Sequence, residues 1–344
     1  MKGWTVALDE VNGREAAALI RDGILEDLLI DSDAPRPGTI YRGVAERPMK
    51  GQGGMFLRTP DGSAFLRQVK GLTPGQTLLV QVTGFAEPGK AIPVTSDILF
   101  KSRYAIVTPN KPGVNVSRAI KEDEDRDAAL EAAHEGFAEA PLPEGAGLIL
   151  RSSCAGADPE DIAEDVAAMC KLAAHVLADA GKAAEVLVEG DGPHALAWRE
   201  WTHVTDVDPE PGSFARSGAD ELLDALRSPY VKLQGGYTMI IEPTSALVAV
   251  DVNTAGDTSP AAGLKANLAA MRDLPRQLRL RGLGGQIIVD PAPCPKKDRR
   301  QIEGQLRAEL KKETVESVLT GWTTLGLMEI QRKRDRQPLK DLLK

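Results

Sequence analysis

Apolar and polar residues recur with different periods along the chain, and the changes of period divide it. Residues 1–36 read as a strand, WTVALDE, a helix, REAAALIRDG, and a second strand, LEDLLI, closed by the loop DSDAPRPG. Residues 37–100 hold short β-like runs (TIYRGVAER, GGMFLR, AFLRQV, QTLLVQVTGF). Gly and Pro turns separate them at the spacing of a small barrel. Residues 121–145 are acidic and alanine-rich, which predicts a surface helix followed by a Pro/Gly linker. GLILRSS reads as a strand. DPEDIAEDVAAMCKLAAHVLADA then has helical periodicity, with Asp158 as N-cap and acidic residues in the first turn. A stretch rich in Gly, Pro and Asp fills 189–219.

A last region opens near Gly235. Residues 246–251, ALVAVD, have the pattern of a strand buried on both faces, and GQIIVD at 285–290 has the same form. Between them Leu264, Leu268, Met271, Leu274 and Leu278 recur every three or four residues. That spacing predicts one helix face over about 264–281, with a kink expected at Pro275. Strand, helix and strand of this length predict a βαβ unit with parallel strands. A further helix over about 298–312 and the strand LGLMEIQR complete the region.

Parallel strands bring Asp251 and Asp290 to the same sheet edge, where neighbouring strands lie ~4.8 Å apart. Two carboxylates there can share one hard cation. Mg²⁺ takes one or two carboxylates and fills its remaining positions with water and phosphate. Asn253 is placed to orient a carboxylate or a phosphate oxygen. The geometry leaves a second reading open, in which both aspartates are N-caps or turn residues at strand ends.

Composition narrows the class. With 42% hydrophobic and 27% charged residues, the 344-residue chain is globular and long enough for two or three domains. No apolar run reaches the ~18 residues of a membrane span. MKGWTVALDE carries no signal-peptide core, so a cytoplasmic protein without a membrane partner is expected. Three cysteines without a CxxC pair disfavour a disulfide framework and a self-contained zinc site. The net charge of −8 argues against a generic nucleic-acid binder, but its distribution is uneven. Residues 272–344 carry 17 Lys/Arg and 10 Asp/Glu, a net of +7, against −15 for the rest. That is either a face for a polyanion or a set of solvated helix surfaces.

SALVAVDVN, NLAAMRDLPRQLRLRGLGGQIIVD and LGLMEIQRKR closely resemble the ribonuclease E/G family of bacterial endoribonucleases. GTIYRG resembles the entry to that family's OB-fold, SRYAIVTPNKPGVNVSRAI its 5′-sensor segment, and GLILRSS the sensor strand. The match is weaker over roughly 185–235. The resemblance implies a multidomain α/β chain. A split RNase H-like domain would comprise 1–36 and 185–235. An OB-fold RNA-binding barrel would occupy 37–100, a 5′-sensor region 101–184, and a DNase I-like catalytic α/β domain 236–344.

The activity implied is Mg²⁺-dependent cleavage of single-stranded RNA that leaves a 5′-phosphate, with Mn²⁺ able to substitute. The family's metal-binding aspartates fall on Asp251 and Asp290, and its catalytic-site asparagine on Asn253. Its base-stacking aromatics fall on Phe56 and Phe65, and its RNA-contacting lysine on Lys90. The pair that grips a 5′-monophosphate falls on Arg151 and Ser152. Ile106 replaces a valine that packs on the terminal base, and Ser102 stands where the family has Gly.

Departures from the family pattern surround the metal site. After Asp290 the chain reads DPAPCPKKDRR, so a third carboxylate is gone and Pro291, Pro293 and Pro295 stiffen the loop. The loop after Asp251 is short and lacks the family's Arg and paired Gly. The family's zinc-link cysteines are absent, so no zinc is expected and any homodimer is not bridged by it. The alternative these departures raise is a catalytically degenerate RNA-binding protein of the same fold.

Overall fold

A computed structural model describes residues 3–49, 53–69 and 71–344. The chain folds into two compact units, one of Met1–Asp31 with Asp206–Lys344 and one of Ser32–Thr205. No helix among the described residues is long and apolar enough to cross a membrane.

The first unit begins with an antiparallel meander, β1 (Trp4–Val11), β2 (Arg14–Arg21) and β3 (Ile24–Ile30). REAAALIR is therefore a strand and not the expected helix. Asn12–Gly13 and Asp22–Gly23 flank it, with φ of 54°, 72°, 50° and 77°. Two consecutive positive φ values make the two-residue hairpin turn whose twist matches paired strands. With a turn at each end, the five residues Ala16 to Ile20 are buried in the middle of the sheet, and this packing overrides alanine's helix propensity.

The second unit opens with a closed five-stranded barrel, the OB-like architecture expected for 37–100. Its strands are β4 (Ile40–Met49), β5 (Gly54–Thr59), β6 (Gly62–Leu66), β7 (Thr77–Val82) and β8 (Ile92–Thr95), and pairing of β4 with β7 closes the ring. Tyr41, Met55, Leu57, Ala64, Leu66, Val80 and Val82 fill the interior. A second sheet follows: β9 (Phe100–Lys101), β10 (Ala105–Thr108), β11 (Gly113–Val116) and β12 (Gly147–Leu150).

Helices α1 (Asp123–Glu139) and α2 (Pro159–Leu177) pack with this second sheet in one core. Asp158 caps α2 as expected, accepting a 3.0 Å bond from Glu160 N–H. The expected segment 185–235 is divided between the units. Strand β13 (Glu185–Val188) pairs with β4 on the barrel, and α3 (Pro193–Glu200) also belongs to the second unit. The pairing has a side-chain anchor. Arg42 on β4 donates to Asp179 at 2.6 and 2.5 Å and to Glu185 at 2.8 Å.

From residue 206 the chain returns to the first unit. Strand β14 (Val207–Asp208) pairs with β1. Short helices α4 (Ser213–Ser217) and α5 (Ala219–Ala225) bring Phe214, Ala219 and Leu223 onto the meander. A six-stranded sheet follows, built from β15 (Tyr230–Lys232), β16 (Thr238–Pro243), β17 (Val248–Asn253), β18 (Gly285–Asp290), β19 (Ser317–Trp322) and β20 (Met328–Arg332). Its order is β15-β16-β17-β18-β20-β19.

Helix α6 (Ala262–Leu280) connects β17 to β18, α7 (Arg299–Leu310) precedes β19, and α8 (Leu339–Leu342) follows β20. β17 and β18 are parallel, as the strand–helix–strand pattern requires, and α6 runs on through Pro275. Met271, Leu274 and Leu278 join Ile302 and Leu306 of α7 against Val248, Val250, Val252, Ile287 and Val289. β17 is buried on one face only: Val248, Val250 and Val252 point into the core, while Asp251 and Asn253 are exposed. The expectation of burial on both faces fails because Ala249, on the open side, is small and half-buried.

Candidate functional site

The alternation of β17 and β18 positions the central residues. Asp251 and Asp290 are directly paired across the parallel strands, at the last position of that register. Residues paired across a sheet project to the same face, and both are exposed on the side opposite the helices. Asn253 lies two residues on, on that same face, and its amide donates a 2.7 Å bond to Asp251 Oδ2. The bond holds one carboxylate oxygen in place and leaves the other free to face a ligand. Among the described residues no group of three or more His, Cys, Asp and Glu is close enough to hold a metal ion. Any cation here would rest on the two carboxylates, with oxygens from solvent or substrate completing its shell.

The two loops beside the pair are firmly held. Ala292 is buried, and both of its backbone groups bond the side chain of Asn267 on α6: its N–H donates at 2.9 Å and its carbonyl accepts at 2.9 Å. Asn267 itself is 0% exposed. Gly263, in the first turn of α6, lies so close that a Cβ there would meet the Pro293 carbonyl oxygen at 2.0 Å. The proline-rich segment is thus docked against the start of the crossover helix. After β17 the chain turns through Ala255 and Gly256, both at positive φ. Asp257 in this turn accepts from Ser259 N–H at 2.8 Å and from the Tyr237 hydroxyl at 2.9 Å. Those bonds hold its carboxyl below the usual range.

On the barrel, Phe56 and Phe65 are paired on β5 and β6, with ring centroids 5.1 Å apart. They alternate with the interior residues Met55, Leu57, Ala64 and Leu66, so both rings lie half-buried on the outer surface. The Arg47 guanidinium sits 4.9 Å from the Phe56 centroid. The Phe65 ring covers Gly54, where a Cβ would come within 2.3 Å of it. Lys90 is exposed in the turn before β8 and pairs with Glu87 at 2.8 Å.

The four expected 5′-sensor residues gather at one end of the β9–β12 sheet. Ile106 pairs with Ile149, and both side chains lie on the face away from the buried Ala105, Val107, Leu148 and Leu150. Arg151 follows β12; its guanidinium donates to the Ser102 carbonyl at 2.6 Å, the Arg199 carbonyl at 3.3 Å and Glu200 Oε2 at 2.6 Å. Burial pushes the Glu200 carboxyl up, but the guanidiniums of Arg151 and Arg199 outweigh that and hold it below its ordinary value. The Ser102 hydroxyl is turned inward, donating to Asp165 at 2.5 Å. Ser152 is exposed at the start of a 3₁₀ turn.

Sequence reasoning missed Glu200, Arg199, Arg47 and Asn267. For Glu200 no local signal exists, since its partner lies 49 positions away.

A sequence profile of the Ribonuclease E/G family matches residues 100–206 and 199–335. Ribonuclease G of Salmonella typhimurium is 28% identical over 396 aligned residues, covering 95% of this chain and 79% of the relative. Ribonuclease G of Escherichia coli strain K12 matches with the same identity and coverage. Ribonuclease E of a Nostoc species is 26% identical over 389 residues, covering 95% of this chain and 56% of its own length.

Proposed function

The chain belongs to the ribonuclease E/G family, and on that premise we propose that it is an endoribonuclease hydrolysing single-stranded RNA. The observation that carries this reading is the register that sets Asp251 opposite Asp290 on parallel strands, with Asn253 bonded to Asp251. Two exposed carboxylates without a thiolate or imidazole form a hard donor set. It suits Mg²⁺, with Mn²⁺ able to stand in and no zinc. Asp251 and Asp290 would hold the ion, which when bound supplies charge stabilisation at the scissile phosphate and an acidified water. Asn253 keeps the Asp251 carboxylate in its holding rotamer. The 5′-phosphate stays on the downstream product.

On this reading Phe56 and Phe65 stack successive bases and Lys90 meets the backbone. A stacking surface reads no sequence, which suits a general cutter of single strands. Arg151 and Ser152 receive a 5′-monophosphate, with Ile106 and Ser102 shaping the pocket. An incoming phosphate competes with Glu200 for Arg151, because both want the same N–H donors.

The domain assignment is part of the proposal. The meander and its partners are RNase H-like, β4–β8 form the OB-fold, β9–β12 with α1 and α2 the sensor region, and β15–β20 with α6 and α7 the DNase I-like catalytic domain. The proposed compartment is the cytoplasm, and any homodimer is not bridged by zinc.

The test is cleavage of one AU-rich single-stranded RNA, 5′-monophosphorylated or 5′-hydroxyl, with and without Mg²⁺, by wild type and Asp251→Asn. Mg²⁺-dependent cuts that the variant does not make are expected, faster on the monophosphate. Equal rates for the two proteins would remove the metal assignment. RNA binding without any scission would favour a non-catalytic RNA-binding protein, the reading that the missing third carboxylate after Asp290 motivates.

A further inference from the structure

Beside Arg151 stands a pair of side chains that the proposed function leaves without a role. Trp198, in the last turn of α3, is 62% exposed. By contrast Trp201, three residues on, is buried. The Trp198 ring is held in place despite its exposure. The Arg103 guanidinium lies 4.0 Å from its centroid, and the same guanidinium donates to the Trp198 carbonyl oxygen. Arg103 is in turn flanked by Tyr104, at 5.7 Å from that ring.

Arg103 and Arg151 are tied together at this spot. The Ser102 carbonyl, one residue before Arg103, accepts from Arg151, and the Ser153 hydroxyl donates to the Arg103 carbonyl at 2.5 Å. Both guanidiniums bond carbonyls of the last turn of α3, Arg103 that of Trp198 and Arg151 that of Arg199. Cations are favourable at a helix C-terminus, so capping explains the two contacts. It does not explain why Arg103, unlike Arg151, has no carboxylate partner among the described residues, nor why its Nε is buried without a hydrogen bond. A rigid indole backed by an uncompensated cation offers what a nucleotide needs: a π-face for the base and positive charge for the phosphate.

We infer that Trp198, with Arg103 behind it, is a stacking platform for a nucleobase at or next to the 5′ end of a single-stranded RNA whose terminal phosphate lies at Arg151. The inference rests on the proposed RNA reading and extends it to residues on α3. One face of the indole is taken by Arg103, and the exposed face receives the base. Cation–π contact on the first face polarises the ring. Because Arg103 fixes the ring before RNA arrives, little side-chain entropy is lost on binding.

The test is fluorescence anisotropy with a 3′-fluorescein-labelled, 5′-monophosphorylated RNA decamer in EDTA, so that no strand is cut. Trp198→Ala should raise Kd about tenfold, the size of one base–aromatic stack. Trp198→Phe should recover most of that loss. A decamer with 5-iodouridine near its 5′ end should crosslink to Trp198 under ultraviolet light. Far-UV circular dichroism and the Tm of each variant report whether α3 stays folded.

Binding by Trp198→Ala within twofold of wild type would overturn the platform and leave the nuclease reading standing. So would a Trp198→Phe variant no better than Trp198→Ala. Failure of the wild-type protein to bind any RNA would overturn both readings together.

Discussion

Asn267 shows how much of the candidate site depends on one side chain outside the carboxylate pair. Its amide satisfies both backbone groups of the buried Ala292, so Asn267→Ala leaves a buried N–H and a buried C=O without partners. Each such group costs about 1–3 kcal/mol. The variant is expected to lose about 2–6 kcal/mol in urea unfolding and to cleave RNA more slowly, because the segment after Asp290 loses its anchor. An unchanged unfolding midpoint would show that water replaces the amide. At this scale the place of Asp251 and Asp290 at one sheet edge was legible from the sequence, since each closes a short apolar run, whereas the one-sided burial of β17 was not. Their mutual pairing followed from the helix between them. Glu200 was not legible, because its meaning comes from a contact with Arg151 that no spacing encodes.

Among the elements, the strands were read well where hydrophobic period and turn residues agreed, as in the barrel and the β17–α6–β18 unit. β2 was misread because a run of three alanines suggests a helix, while Asn12–Gly13 and Asp22–Gly23 specify hairpins. The turn pairs outweigh the propensity of the residues between them. The barrel offers a test of its own. Phe65 lies over Gly54 and against Phe56, so its ring is both a lid on the strand and a proposed base-stacking surface. Phe65→Ala is expected to weaken binding of single-stranded RNA by about 1–3 kcal/mol. Anisotropy titration measures it, and Phe65→Tyr should keep most of the affinity. Equal loss in both variants, with a lowered Tm, would assign Phe65 to barrel stability alone.

For the molecule as a whole, the formal charge of −8 conceals a buried set of opposite charges in the first unit. Asp27 on β3 accepts from Arg336 at 2.5 and 3.0 Å and lies 3.4 Å from Arg279, and Glu313 pairs with Arg279 and with Arg332 at 2.8 Å. Burial pushes the Asp27 carboxyl up, but Arg336 and Arg279 outweigh it, so its folded pKa lies below the unfolded value. A depressed folded pKa gives stability that is complete above the unfolded value of about 3.9 and is lost as pH falls through the folded one. The Tm of the wild type should therefore fall as pH drops below about 4. Asp27→Asn should flatten that slope and cost about 3–5 kcal/mol at neutral pH, since it removes the carboxylate that pairs with the buried Arg336 guanidinium, while Arg279 keeps Glu313. Composition could not show this cluster, because its members come from opposite ends of the chain.

The in-register pairing of β17 with β18 also constrains how the protein can change. Side chains on a strand alternate strictly, so a one-residue deletion inside β18 would turn Asp290 inward and expose Val289. The facing of the two carboxylates is therefore all-or-none along the strand. The two loops beside the carboxylates, the turn after β17 and the proline-rich segment after β18, lie outside the strand register, so residues there can be exchanged without inverting a face.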